Sequence, residues 1–246
     1  MKGLVLDTLV AGRRAFRLPP VSLSALPGTK VALLGPNGGG KTTLLKTVAG
    51  LIPARGGSAA VDGRDIPSAR PADRAALVAF LPPPGEVEAA FPAEHVVALG
   101  RLSRRAWPAD LTREDREAAS AALDALGIEA LARRRFDRLS SGQRQLVLVA
   151  RTLVQDARIC LLDEPSATLD PAHRARVFGA IDRLAARGAV VLYSTHEPGE
   201  ARRADTCVTV GEEVRVGPPA DLLTPERLAR LYRAELSSCP TCGRVG

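Results

Sequence analysis

Short apolar runs, each closed by a glycine, a proline or a polar cluster, recur along this chain and set its frame. Lys30–Leu34, Leu77–Leu81, Arg158–Leu162 and Ala189–Ser194 read as strands, the first of them buried on both faces as in a parallel sheet. Between them the apolar spacing turns helical. Leu44, Leu45, Val48 and Ala49 fall on one helical face, Pro71–Ala76 predicts a short helix, and a helix begins after Pro171. From about Pro92 to Arg151 the signals are helical: Thr112 and Asp115 form a capping-box-like start, Gly127 ends that helix, and Leu139–Val154 forms another. Gly3 to about Leu26 suggests short strands with a break at Pro19-Pro20. The turn-rich stretch Pro53–Ser58 precedes a short strand at Ala59–Val61, and Pro219 to Leu236 looks helical and surface-packed. Pro82-Pro83-Pro84-Gly85 closes its strand and marks a change of layer. Strands alternating with helices predict a parallel α/β core interrupted by a helical subdomain at about residues 84–154.

Composition narrows the class. A chain of 246 residues can bury one large core, and 46% hydrophobic with 25% charged residues is the ordinary globular range. No run approaches the roughly 18 apolar residues of a membrane span. Met1–Asp7 is too short and interrupted for a signal peptide and reads better as a first strand, so a soluble, cytoplasmic protein is expected. The formal charge is +7, and lysine occurs only at Lys2, Lys30, Lys41 and Lys46, so arginine carries nearly all the basic charge. A nucleic-acid or anionic-membrane partner would fit such a balance. An arginine- and alanine-biased composition with solvated faces fits it better, because no basic block is interleaved with aromatics; no nucleic-acid partner is expected. Cys160 and Cys207 read as small buried hydrophobes. Cys239 and Cys242 resemble half of a zinc knuckle, yet no second pair is placed to complete four ligands; a frayed tail over residues 237–246 is favoured over a site shared across a dimer.

Chemistry concentrates in three places. Gly35-Pro36-Asn37-Gly38-Gly39-Gly40-Lys41-Thr42-Thr43 fits the phosphate-loop pattern G-x-x-x-x-G-K-[ST], with an apolar strand before it and a helical pattern after it. Asn37, Gly38, Gly39 and Gly40 would turn backbone N–H groups toward phosphates at a helix N-terminus. Lys41 would reach the β- and γ-phosphates, Thr42 would offer its hydroxyl to Mg²⁺, and Thr43 would sit near the α-phosphate of a nucleoside triphosphate. The apolar strand Ile159–Leu162 ends in Asp163-Glu164: Asp163 can hold the Mg²⁺ shell and Glu164 can polarise the attacking water. Leu139-Ser140-Ser141-Gly142-Gln143 opens a helix, with Ser140 as N-cap and Gln143 completing a capping box whose N–H groups and hydroxyl also suit an anion.

The order of phosphate loop, Leu-Ser-Ser-Gly-Gln, Asp-Glu pair, Leu169-Asp170 step and late His196 resembles the ATP-binding cassette family along nearly the whole chain. The resemblance implies a P-loop NTPase core, a mixed and mainly parallel sheet flanked by helices, with an antiparallel β part near the N-terminus, as a single domain over residues 1–236. It implies ATP and Mg²⁺ sandwiched between two such domains, with Lys41, Thr42 and Thr43 of one facing Ser140 and Gly142 of the other. Asp170 would lie at the dimer seam, and His196 would contact the γ-phosphate, although a lone histidine after a strand is more often a helix cap or core residue. Phe91–Arg101 and Gly217–Pro225 look like importer ATPases serving iron–siderophore, haem or cobalamin uptake. Transmembrane permease subunits, a second cassette and a substrate-binding protein are the partners this implies, with the chain peripheral on the inner face of the cell membrane.

Three positions depart from the family pattern. Pro83 stands at or near the place of a Mg²⁺-touching glutamine and offers neither side-chain oxygen nor N–H, leaving Glu86 or Glu88 as a stand-in. No aromatic stands near Gly12 to stack on adenine; Phe16 is the nearest ring, and Arg13 or Arg14 could stack instead. Ser141 replaces the first glycine of the signature. The leading expectation is an active ATPase subunit of an importer. A weakly active or inactive partner subunit of a mixed pair is the second, and a soluble cassette acting on nucleic acid or ribosomes the third. The last class usually carries two cassettes or long coiled-coil insertions, and this chain has neither.

Overall fold

In the computed structural model, which describes residues 3–13, 16–104 and 110–233, the first strands pair with one another rather than with the parallel core. β1 (Leu4–Val10) alternates buried and exposed positions until Thr8, whose φ of 45° marks a bulge. The two-residue strands β2 (Gly12–Arg13) and β3 (Phe16–Arg17) form a ribbon, and the chain returns as β4 (Val21–Ala25), antiparallel to β1. β5 (Lys30–Leu34) then feeds helix α1 (Lys41–Val48), after which β6 (Gly56–Val61) and β7 (Arg64–Asp65) complete an antiparallel sheet in the order β4-β1-β6-β7. β6 starts three residues before the strand expected at Ala59, because β1 pairs with it from Leu4↔Val61 to Val10↔Gly56. Gly57 makes this possible: at φ 71° it sits where a Cβ would stand 2.2 Å from the Thr8 carbonyl oxygen.

α2 (Pro71–Leu77) delivers β8 (Val78–Leu81), and the chain does not return to this sheet until β9 (Ile159–Leu162). Between them lie α3 (Ala93–Ala98), α4 (Arg113–Ala125) and α5 (Ser141–Gln155), joined by 3₁₀ turns at Leu99–Arg104, Glu129–Leu131 and Phe136–Arg138. The helical stretch expected from Pro92 to Arg151 is thus broken into short pieces. α6 (Pro171–Ala186), β10 (Val190–Thr195), α7 (Pro198–Ala201), β11 (Thr206–Val210), β12 (Val214–Gly217), α8 (Pro219–Leu222) and α9 (Pro225–Tyr232) complete the described chain. Arg14, Cys239, Cys242 and the last residues of the expected C-terminal helix lie outside it.

The central sheet runs β12-β11-β5-β10-β9-β8 and is parallel apart from the β11–β12 hairpin. Its period of two feeds two cores. Val31, Leu33, Ile159, Leu161, Val190 and Leu192 pack toward α1 and the antiparallel sheet. Ala32, Leu34, Cys160, Leu162, Val191 and Tyr193 pack toward α3, α4, α5 and α6. Each fully buried Val or Leu contributes roughly 1.5–3 kcal/mol, so β5 is held from both sides and gives the loop after Leu34 a rigid root. Lys30 Nζ adds an ion pair 2.8 Å long to Asp182 on α6. Register places Leu34 beside Thr195 and Tyr193 beside Leu162, so the turns after β5, β10 and β9 emerge together at one edge, where α/β sheets bind ligands. No helix among the described residues is long and apolar enough to cross a membrane.

Candidate functional site

The turn after β5 forms a recess of about 190 Å³, lined by Asn37 through Thr43 together with Phe16 and Glu164. A larger cleft, about 1360 Å³, opens beside it between Phe16, Leu18, the loop residues 36–39 and α9. Gly40 caps α1 in the left-handed conformation, φ 98°, and gives it no side-chain bond, which leaves the first N–H groups of the helix for an anion. Phe16 lies across the loop: a Cβ at Gly40 would stand 2.7 Å from its ring. The ring named from sequence as merely the nearest is therefore part of the recess.

Lys41 is buried. Its ammonium donates to the carbonyls of Gly35 (2.8 Å) and Pro36 (3.1 Å) and lies 3.7 Å from Glu164 Oε1. Burial pulls its pKa down, and the carboxylates of Glu164 and Asp163 oppose that shift. A cation held this way is poised to exchange carbonyls for phosphate oxygens.

Asp163 is fully buried, and one hydroxyl organises it together with its neighbour. Ser194 Oγ, at the end of β10, donates to Asp163 Oδ1 (2.6 Å) and accepts the Glu164 N–H (2.8 Å). Glu164 is thereby fixed at φ 48°, a left-handed conformation that costs a non-glycine residue roughly 1–2 kcal/mol. The other oxygen of Asp163, Oδ2, is buried without a hydrogen-bond partner. An orphaned buried carboxylate oxygen is a hard-oxygen donor that fits Mg²⁺, and the Thr42 hydroxyl in the recess lining is a donor of the same class. Among the described residues no three His, Cys, Asp or Glu side chains gather as a metal cluster, so protein ligands to such an ion would be few. Neither Glu86 nor Glu88, the expected stand-ins for the missing glutamine, lines the recess; Glu86 instead takes two hydrogen bonds from Lys46 on α1, at 3.0 and 3.1 Å.

The remaining site residues stand apart from this recess. His196 follows β10 and is exposed, its Nε2 3.8 Å from Glu197 Oε1, while its backbone carbonyl accepts the Tyr232 hydroxyl of α9 at 2.7 Å. Asp170 caps α6 by accepting the His173 N–H (2.9 Å) and also bonds the His173 ring; these bonds hold its carboxyl below the usual range. Ser140 and Gln143 close the capping box of α5, with both hydrogen bonds at 3.2 Å. A Cβ at Gly142 would meet Leu169 at 3.1 Å, so the signature start and the Asp170 turn are neighbours. Lys41, Thr42, Thr43, Asp163 and Glu164 gather within one chain; the exposed Ser140 and Asp170 with the half-buried Gly142 form a second group. Sequence reading missed Ser194; its one signal is a hydroxyl ending an apolar strand beside the strand that ends in the acids.

A family model described as ABC transporter matches residues 18–167. The chain is 37% identical to the hemin import ATP-binding protein HmuV of Myxococcus xanthus over 232 residues, covering 89% of this chain and 85% of that protein. It is 32% identical to the manganese transport system ATP-binding protein MntB of Bacillus subtilis, covering 94% and 92%. A solved structure described as a metal-chelate type ABC transporter in an inward-facing conformation superposes with a TM-score of 0.80 at 29% identity, covering 94% of this chain and 89% of that one.

Proposed function

The chain belongs to the ABC transporter family, and on that premise we propose that it hydrolyses ATP to power a membrane importer of a metal chelate or cofactor, of the siderophore, haem or cobalamin kind. The observation that carries the hydrolytic part is the meeting of Lys41, the orphaned Asp163 Oδ2 and the strained Glu164 at one sheet edge. The relatives named above support import, and their range from hemin to manganese leaves the cargo to other subunits.

In this reading the residues divide the work. Asn37 to Gly40 and the start of α1 cradle the phosphates, and Lys41 neutralises the β- and γ-phosphate charge that grows as the bond breaks. Thr42 and Asp163 would hold Mg²⁺, which would supply positive charge to offset that of the phosphates. Glu164 orients and polarises the attacking water, and His196 contacts the γ-phosphate. Ser140 and Asp170, exposed in one chain, and the half-buried Gly142 beside them complete the site of a second cassette, so closing two domains on ATP is the work stroke. Residues 1–236 act as one domain, docked on permease subunits at the inner face of the membrane, with a substrate-binding protein in the full system. The place of Pro83, and the commitment of Glu86 to Lys46, favour a second reading: a weakly active partner in a mixed pair.

Turnover of Mg-ATP by the parent protein and by Glu164→Gln, each followed by gel filtration in ATP, separates the two. Loss of turnover by at least about a hundredfold with an ATP-trapped dimer is expected. No turnover in the parent, with tight ATP binding and no dimer, would replace the motor by the partner subunit.

A further inference from the structure

Glu200 belongs to none of the motifs above, yet it is only 6% exposed and carries a carboxylate into the interior behind the site. Ser166 Oγ donates to both of its oxygens at 2.8 Å, and Thr195 Oγ1 donates to Oε2 at 2.6 Å. Arg174 Nε lies 3.5 Å from Oε1, and the Tyr193 hydroxyl donates to the Glu200 backbone carbonyl at 2.9 Å. Thr195 Oγ1 itself accepts the Glu197 N–H at 3.0 Å, so its proton is committed to Glu200.

The partners matter by where they stand. Ser166 lies two residues after Glu164, Thr195 immediately precedes His196, and Arg174 stands in the first turn of α6, which Asp170 caps. A single acceptor thus joins the turns that carry the water-polarising acid, the γ-phosphate histidine and the residue of the dimer seam. An ionised carboxylate suits this because it only accepts, through two oxygens with about four lone-pair sites. An amide would turn N–H groups toward at least one hydroxyl and would lose the pairing with Arg174.

We propose that Glu200 is a positioning residue for hydrolysis, fixing the spacing of Glu164 and His196 through Ser166 and Thr195. The inference rests on the roles given to Glu164 and His196 above. A buried acid with no such role would cost stability when replaced, without distinguishing nucleotide binding from turnover.

The test uses the full chain, with Mg-ATP turnover, affinity for a fluorescent ATP analogue and thermal melting measured on Glu200→Gln, in the parent and in a His196→Ala background under single-turnover conditions. Glu200→Gln is expected to lower kcat at least about tenfold while KM and nucleotide affinity stay within about threefold, and to add less than about twofold to the loss already caused by His196→Ala. Equal losses of turnover and affinity, or an undiminished effect in the His196→Ala background, overturn the proposal. If Glu200→Gln does not fold, Ser166→Ala decides, since it removes one donor and leaves the carboxylate in place: a kcat loss of about threefold is expected, and an unchanged kcat overturns the proposal. A parent whose turnover His196→Ala leaves intact would instead sink the role given to His196, a result separate from any effect of Glu200.

Discussion

Ser194 does with one hydroxyl what a motif search has no means of finding. Donating to Asp163 and accepting from Glu164, it fixes the direction of one carboxylate and the backbone of the next residue. Replacing it by alanine leaves a buried oxygen and an N–H without this partner, which costs about 1–3 kcal/mol. Ser194→Ala should therefore unfold at lower urea and lose turnover while keeping its affinity for ATP; unchanged kcat would show that the Glu164 backbone holds its conformation unaided. The phosphate loop and the acid pair were legible because phosphate chemistry dictates both residue types and spacing. Ser194 and Glu200 were not, because the partners that tie them to the acid turn, Asp163 and Ser166, lie 31 and 34 residues away and a lone polar residue near a strand carries no local signal. The stand-in role considered for Glu86 misled for the same reason: sequence gives its charge but not the lysine that claims it.

At the scale of elements, α4 and α5 begin alike. Thr112 with Asp115 and Ser140 with Gln143 both close full capping boxes, as their spacing predicts. Thr112→Ala and Ser140→Ala should each cost about 1 kcal/mol in a denaturant melt. Only Ser140→Ala should also slow ATP turnover, because Ser140 sits exposed at the signature start while Thr112 serves its helix alone. Equal ATPase rates in the two variants would reduce Ser140 to a cap. Helix starts were the most legible boundaries, since a cap is a local hydrogen bond. The start of β6 was not, because pairing with β1, some fifty residues earlier, draws Gly56–Ser58 out of a turn-rich pattern and into a strand.

For the whole molecule, the parallel core followed from strands alternating with helices, while the separate antiparallel sheet rests on long-range register that leaves little local pattern. The two cores share the central sheet, so they should open together. Cys160 on β9 and Cys207 on β11 report on this, since burial pushes each thiol up to about 12, with Asp156 adding to the shift at Cys160. At pH 8 the reactive thiolate should form only in opened molecules. Iodoacetamide labelling in a urea series, read peptide by peptide to separate Cys239 and Cys242, should give both thiols the same opening free energy within about 1 kcal/mol. Much faster labelling at Cys207 would mean that the β11–β12 edge opens alone. The three lysines of the described chain carry a different consequence. Lys30 is paired with Asp182, Lys46 with Glu86, and Lys41 is folded into the loop beside Glu164. Acetylation at any of the three would therefore cut a contact rather than merely trim surface charge. Arginine holds nearly all the rest of the positive charge, out of reach of that chemistry. The basic character of this protein is in effect permanent, and an acyl mark on one of these lysines would be felt as a structural lesion.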